Sequence, residues 1–424
     1  MKRLIGLLLI VFMSTYTYAQ TCGCTDPLAN NYNAAATIND GSCTYGNATI
    51  SATSMGEMDD IISGTSGMIY WNGGYWTYND HTNTHLYKID STNAAIIDSL
   101  RIAPSGNYDT EEISQDSLYL YFGDFGNNAG SRTDLHILRI SKQGLLDQDF
   151  VIDTIFFSYS DQTDFTAAAQ ETDFDCESFI VGTDSIYVFT KQWVSEGTVC
   201  YGFPKEPGTQ VATPCGSHNV GGLITGATYF PDKRIVALCG YSSTLQPFLY
   251  LLYDFQGENF FSGNKRKLSF SFLTRDQVEA IASSDALHYY ITNEYFVYQG
   301  VINRPAKFQQ IDLTDYLGDY LDRLANPTPE DTLADTTAID TNTLMINNLL
   351  YISISPNPVQ TTLQISSSSP LSGSPYNIFD MNGRIVGAGR LENEHIQVSQ
   401  LPKGQYVIHI QTERGPYRNK FVKW

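Results

Sequence analysis

The sequence predicts an all-β protein: a β-propeller followed by a small immunoglobulin-like β-sandwich. Three observations carry that expectation. Aromatic residues are 13% of the 424 residues, with 28 Tyr, 22 Phe and 33 Gly, a balance that suits strands and turns. Between residues 46 and 320, short apolar runs alternate with turn clusters, and no long amphipathic helix interrupts them. A weak internal repeat runs through the same stretch.

The repeat begins with Glu112-Ile113-Ser114-Gln115 and closes on Leu118-Tyr119-Leu120-Tyr121. It recurs as Glu177-Ser178-Phe179-Ile180 closing on Ile186-Tyr187-Val188-Phe189, and as Glu279-Ala280-Ile281-Ala282 closing on Leu287-His288-Tyr289-Tyr290. Two degenerate copies replace Glu by Gly, at Gly67-Met68-Ile69-Tyr70 and Gly226-Ala227-Thr228-Tyr229. The markers at 67, 112, 177, 226 and 279 are spaced 45, 65, 49 and 53. A period of about 40–50 with two or more strands each is that of propeller blades. Roughly 275 residues divide into six blades of about 46. The sixth is then a composite of residues near 47–62 and 295–320 that closes the ring; five or seven blades remain open.

The flanks read in order. Residues 1–19 carry Lys2 and Arg3, then an apolar run from Leu4 to Met13, then Ala19 at a small-residue cleavage point. That is an export leader, too short to span a bilayer. No later stretch is apolar enough for a transmembrane helix. Residues 20–45 are rich in Asp, Asn and Gly and poor in apolar side chains, so they need a covalent staple. A Cys24–Cys43 disulfide closes a loop of about twenty residues there. Asp26, Asn31, Asn33, Asn39 and Asp40 offer oxygen ligands for Ca²⁺, or cap local backbone in Asx turns. The segment resembles the Cys-stapled acidic repeats of exported surface proteins, distant relatives of thrombospondin type-3 repeats. The propeller follows over residues 46–322. An acidic Thr/Pro linker occupies 323–348, and a β-rich unit occupies 349–424, with Asn382-Gly383 as a hairpin turn.

Within that last unit, Ser355-Pro356-Asn357-Pro358, Ile378-Phe379-Asp380-Met381-Asn382-Gly383-Arg384, Leu401-Pro402-Lys403-Gly404-Gln405-Tyr406 and Lys420-Phe421-Val422-Lys423 occur in succession. They resemble the type A C-terminal sorting domain of type IX secretion. The resemblance implies that residues 349–424 engage the type IX secretion machinery and carry the chain across the outer membrane. The mature protein is then extracellular or held at the cell surface. The net charge is −20; the leader contributes +2 and residues 349–424 contribute +3, so the passenger and linker hold −25. Such a surface excludes a nucleic-acid partner and favours solubility and divalent cations.

Equivalent residues of a propeller form a ring about its axis. Glu112, Glu177 and Glu279 are therefore expected to face one channel. The polar residues ending each following strand, Asn79-Asp80, Asp124, Lys191 and Asn293-Glu294, are expected at its mouth. Clustered carboxylates raise one another's pKa unless a cation sits among them. The pattern predicts Ca²⁺ or Mg²⁺ held by Glu112, Glu177, Glu279 and Asp124. The competing expectation is that each Glu caps backbone N–H groups or pairs with a neighbouring blade. Trp76, Asn79, Asp80, Asn127, Lys191 and Asn293 form the expected ligand rim. Cys200 and Cys215 flank a Pro/Gly-rich hairpin and form a candidate disulfide; Cys239 reads as a buried strand residue. The loops around Trp76–Asn83 and Gly123–Asn128, with Asp173–Glu177, Thr190–Trp193 and Leu249–Lys267, resemble an uncharacterised family of secreted six-bladed propellers. The likeness to the strictosidine-synthase, gluconolactonase and phytase-like propellers is architectural.

No G-x-S-x-G elbow, H-E-x-x-H helix or Walker loop is present. The chain therefore reads as an exported binding protein that presents an acidic, aromatic-rimmed face to an extracellular glycan, peptide or cation. The alternatives are a metal-assisted hydrolase or lactonase-like enzyme built on the carboxylate ring, and a structural or adhesive surface protein.

Overall fold

A computed structural model describes residues 21–80, 85–102, 109–271, 275–298, 302–326, 352–355, 359–367, 371–380, 384–391, 395–412 and 415–424. The leader, all but the start of the linker, and the Asn382-Gly383 turn lie outside the described residues. The chain divides into two compact units, residues 1–338 and 339–424.

The first unit is a propeller whose described residues form five four-stranded blades. Their inner strands are Thr65–Trp71, Thr110–Gln115, Asp175–Val181, Leu223–Phe230 and Val278–Ser283. Each contacts the next, and the fifth contacts the first, so the ring is closed. Three blades are built from consecutive antiparallel strands. The fourth adds Ala48–Ile50 as a parallel edge on Asn264–Phe270. The fifth borrows Thr53–Glu57 from the N-terminal side, paired antiparallel with Lys307–Asp312. The expected sixth blade is therefore absent. The two segments assigned to it complete the fourth and fifth blades instead. The outer strand Ile152–Tyr159 of the second blade also pairs in parallel with Gly208–His218 of the third.

Packing explains why the inner strands read as continuous apolar runs rather than alternating ones. Each blade is sandwiched between two others, so both faces of its inner strands are buried. Every residue of Asp175–Val181, Ile235–Tyr241 and Pro247–Tyr253 is buried. Successive side chains enter different interfaces. Phe179 and Val181 pack with Phe125 and Phe157 toward the second blade, while Ile180 packs with Ile224 and Leu238 toward the fourth. Outer strands alternate, as Asn264–Phe270 does, because one side meets solvent. A helix, Thr314–Ala325, buries Leu317 and Tyr320 against the fourth and fifth blades. It is the amphipathic helix the sequence reading lacked, and it takes the first residues of the expected linker.

The Cys-stapled segment is part of the propeller. Cys24 and Cys43 are bonded. Asp26 is buried and accepts hydrogen bonds from Tyr45 Oη at 2.7 Å, from Tyr253 Oη and from Leu28 N. Asn39 Nδ2 donates to Asp254 Oδ2 at 2.9 Å. The oxygens considered for Ca²⁺ cap nearby backbone: Asn31 to Thr44 N, Asn33 to Ala35 N, Asn39 to Gly41 N and Asp40 to Ser42 N. The second unit packs a three-stranded and a four-stranded sheet around Leu363, Ile365, Ile378, Ile396, Ile408 and Phe421.

Asp26→Ala removes the acceptor shared by two buried tyrosine hydroxyls. It is expected to lower stability by about 2–3 kcal/mol, read as a lower urea midpoint, whereas exposed Asp98→Ala leaves the midpoint unchanged.

Candidate functional site

All five inner strands share one irregularity. Each carries a β-bulge, a residue skipped in the pairing with the second strand. In the third blade Cys176 faces Thr190 and Ser178 faces Phe189, so Glu177 is skipped. In the fifth, Val278 and Ala280 pair and Glu279 is skipped. In the second, Thr110 and Glu112 pair with Asp124 and Gly123, so the skipped residue is Glu111. Gly67 and Thr225 are skipped in the first and fourth blades. The five equivalent positions are therefore Gly67, Glu111, Glu177, Thr225 and Glu279. The sequence markers reached all five strands but stood one residue late in two of them.

That single step sends Glu112 elsewhere. Its Oε1 accepts Ile113 N at 2.9 Å and its Oε2 accepts Ala227 N of the fourth blade at 2.8 Å. Met68 N of the first blade bonds it too. A fully buried carboxyl thus joins three blades. Burial raises its pKa well above the ordinary value, although the backbone donors oppose this. Of the two readings offered by the sequence, Glu112 follows the capping one.

Glu111, Glu177 and Glu279 are nearly buried, and Glu111 and Glu279 each feel the charge of Glu177. Lys191, from the end of the second strand of the third blade, lies among them. Its Nζ meets Glu177 Oε1 at 2.5 Å, and it sits 4.7 Å from the Trp193 ring centroid and 5.5 Å from that of Tyr241. Burial opposes the Lys191 charge, but Glu177, Tyr241, Glu279 and Asp175 outweigh it and hold its pKa well above the usual lysine value. Burial raises Glu177, and the Lys191 ammonium paired with it pulls the other way. Burial and the neighbouring Glu177 raise Glu111 and Glu279 well above the carboxylate range.

Around these lie Asp109, raised by burial and by Asp175, and Asp80 and Glu294, whose charges reach Glu279. Asp175 is fixed by Asn127 N at 2.7 Å and Trp193 Nε1 at 2.7 Å. Two buried hydroxyls, Tyr78 Oη and Thr110 Oγ1, have no hydrogen-bond partner among the described residues. Tyr78 lies in the field of Glu112, Glu111, Asp80 and Asp124. Exposed Ile61, Val194, Tyr295 and Val297 stand at the same end of the propeller, on segments tied to Asn79, Asp173 and Ser63. At the other end, a cavity of about 490 Å³ opens among all five inner strands, lined mostly by neutral residues such as Ser114, Thr183, Thr228 and Ser283.

The expected metal ligands do not converge. Glu112 is engaged by backbone, Glu177 by Lys191, and Asp124 Oδ1 by Arg132 Nη2 at 2.8 Å. Among the described residues no three His, Cys, Asp or Glu side chains are grouped to hold a metal ion. The four expected ligands are therefore not gathered as one Ca²⁺ or Mg²⁺ site among the described residues. The expected rim also divides. Lys191 and Asp80 belong to the mouth. Trp76 is fully buried inside the first blade, donating to Trp71 O at 2.8 Å. Asn127 and Asn293 are buried and tie loops through Phe174 O and Pro305 O, and Asn79 Nδ2 bonds Ile61 O. The Cys200 and Cys215 sulfurs stand 2.9 Å apart as thiols, unlike the expected disulfide. Cys239 is buried as expected.

Comparison with known proteins gives one family. A Secretion system C-terminal sorting domain matches residues 353–423. No curated protein matches the chain. Among solved structures, a glutaminyl cyclase from Myxococcus xanthus is similar at 12% identity and a TM-score of 0.39, over 63% of this chain and 99% of that one. Zg3597, a family 117 glycoside hydrolase from Zobellia galactanivorans, is similar at 15% identity and 0.38, over 62% and 90%. PorZ, a surface component of the type-IX secretion system of Porphyromonas gingivalis, is similar at 11% and 0.29; the match covers 85% of this chain and 45% of that one. No activity is carried over from them. The sorting domain marks the chain for export to the cell surface or release, and no described helix is long and apolar enough to cross a membrane.

Lys191→Met leaves Glu177 buried without its counter-charge and is expected to cost about 3–5 kcal/mol. Adding Glu177→Gln should recover most of the loss. Chemical unfolding of both single variants and the double variant measures this coupling.

Proposed function

Starting from an exported chain, we propose that the propeller is an extracellular binding protein. Its carboxyl-lined mouth takes a cationic group, an ammonium or guanidinium, presented by a peptide. One observation carries this reading: of three equivalent glutamates from three blades, Glu177 engages the Lys191 ammonium directly, and Glu111 and Glu279 lie in its field. An arriving cation supplies a charge-assisted partner for Glu111 and Glu279 in a nearly dry setting. The buried hydroxyls of Tyr78 and Thr110 add unused hydrogen-bonding capacity beside them. Ile61, Val194, Tyr295 and Val297 offer apolar surface for the residues flanking that cation. The overall charge of −20 draws cationic ligands from solution.

The raised carboxyls favour one second reading. An acid held protonated beside an ionised group is an arrangement used for general acid–base catalysis. Hydrolysis of the bound ligand, without a metal, is that alternative. Glu112, one of the ligands expected for a metal-assisted mechanism, is committed to backbone donors.

The sign of the pH dependence follows from the raised carboxyls. They hold their protons to higher pH than ordinary carboxyls and ionise as pH rises, and a cation binds the ionised form. Affinity for a Lys- or Arg-bearing peptide should go on rising with pH above the ordinary carboxylate range, with protons released on binding. Calorimetry with the full chain checks this, comparing such peptides with their Gln counterparts. Glu111→Gln and Glu279→Gln are each expected to weaken binding about tenfold. Binding of neutral glycans alone, indifferent to both substitutions, would overturn the reading, and turnover of the peptide would favour the second one.

A further inference from the structure

We propose that Cys200 and Cys215 are an oxidisable dithiol that closes to a cross-strand disulfide outside the cell, with Cys215 attacking and Cys200 resolving. The two residues lie on adjacent antiparallel strands, Thr198–Pro204 and Gly208–His218. Cys200 faces Gly216 and Tyr201 faces Pro214, so Cys215 is the extra residue of a bulge. The bulge sets Cys215 beside Cys200 of the adjacent strand. Its Sγ lies 2.9 Å from Cys200 Sγ and 3.1 Å from Cys200 O. Bond formation needs the sulfurs to close by less than one ångström, toward about 2.05 Å.

The two thiols differ in a way that sets the order of events. Cys215 is exposed, and its contact with the Cys200 thiol lowers its pKa below the ordinary value. Cys200 is buried among Phe189, Phe248 and Phe260, and burial raises its pKa. The chain is exported, so it meets an oxidising setting. The co-reactant is a low-molecular-weight disulfide. The Cys215 thiolate attacks one of its sulfurs, the S–S bond breaks, and the first thiol leaves with a proton. Cys200, deprotonated in turn, attacks Cys215 Sγ in the mixed disulfide and expels the second thiol. Two protein thiols are oxidised and one small disulfide is reduced to two thiols. Cys176 and Cys239 stand outside this chemistry. Both are buried, Cys176 Sγ directed to Ser178 O at 3.4 Å and Cys239 Sγ near Thr225 Oγ1 at 3.9 Å.

The bond would fix more than one hairpin. Cys200 pairs with Phe189, two residues before Lys191. The strand of Cys215 also pairs with the second blade. Closure of a 15-residue separation should raise the melting midpoint by about 5 °C.

The test exposes the folded, reduced full chain to oxidised glutathione, blocks free thiols with N-ethylmaleimide, and maps tryptic peptides by mass. Cleavage after Lys191, Lys205 and Lys233 places the two cysteines in separate peptides. The expected result is one crosslinked peptide pair, lighter by two hydrogen atoms and restored by dithiothreitol, with no glutathione left on Cys215. Cys200→Ser should trap glutathione on Cys215, and Cys215→Ser should leave Cys200 unmodified. Recovery of both thiols as maleimide adducts in the oxidised wild-type chain would overturn the proposal, a result that needs no variant to fold. Failure of Cys200→Ser, folded by circular dichroism, to trap the adduct would overturn the assigned order.

Discussion

Lys191 is placed where the propeller most needs a positive charge. Five strands meet about one axis, and each delivers its bulge residue to the same level. Three of those residues are glutamates. Three carboxylates brought together away from water repel one another and lose hydration. Lys191 answers one of them through a direct ion pair and the others through its field, and it rests on Trp193 and Tyr241. The crowding that remains raises the pKa of Glu111 and Glu279. The mouth is thus a site with carboxyl groups in hand and one cation already committed.

The ring that creates this crowding is held by apolar packing between blades and closed by the chain's own N-terminal side. Thr53–Glu57 completes the fifth blade, and Ala48–Ile50 edges the fourth. The stapled segment before them docks through Asp26 and Asn39 onto Tyr253 and Asp254. Closure is therefore a long-range event joining residues some 250 positions apart. Glu112 adds a polar link at the axis, where one carboxyl accepts backbone donors from three blades.

Much of this was legible in the residues. The five markers landed on all five inner strands, because those strands must be apolar on both faces and begin with a turn. The blade number was not, because the count came from dividing length by an average period, and the long connection between the second and third blades hid the true spacing. The doublet Glu111-Glu112 shows the limit most clearly. Bulges leave no mark in an apolar pattern, and a one-residue slip exchanges a channel residue for a buried one. The doublet itself was the available signal, since neighbouring strand residues point to opposite sides. Trp76, Asn127 and Asn293 looked like rim residues because loops are usually wet. Asn127 and Asn293 are buried because each satisfies a backbone group in the loops that it ties, and Trp76 because it lies on a strand of the first blade, packed with Trp71, Leu86 and Leu120.

Glu111 and Glu279 hold their protons at the mouth to higher pH than ordinary glutamates and give them up to a positive charge. Carboxyl-carbon nuclear magnetic resonance of the full chain, with carbon-13 at the glutamate side chains and Gln variants for assignment, measures it directly. The account predicts two carboxyl resonances that titrate well above the ordinary glutamate value, vanish in Glu111→Gln and Glu279→Gln, and shift toward the ionised range when a cationic peptide is added. Titration of both groups near the ordinary glutamate value of about 4.3 would contradict it.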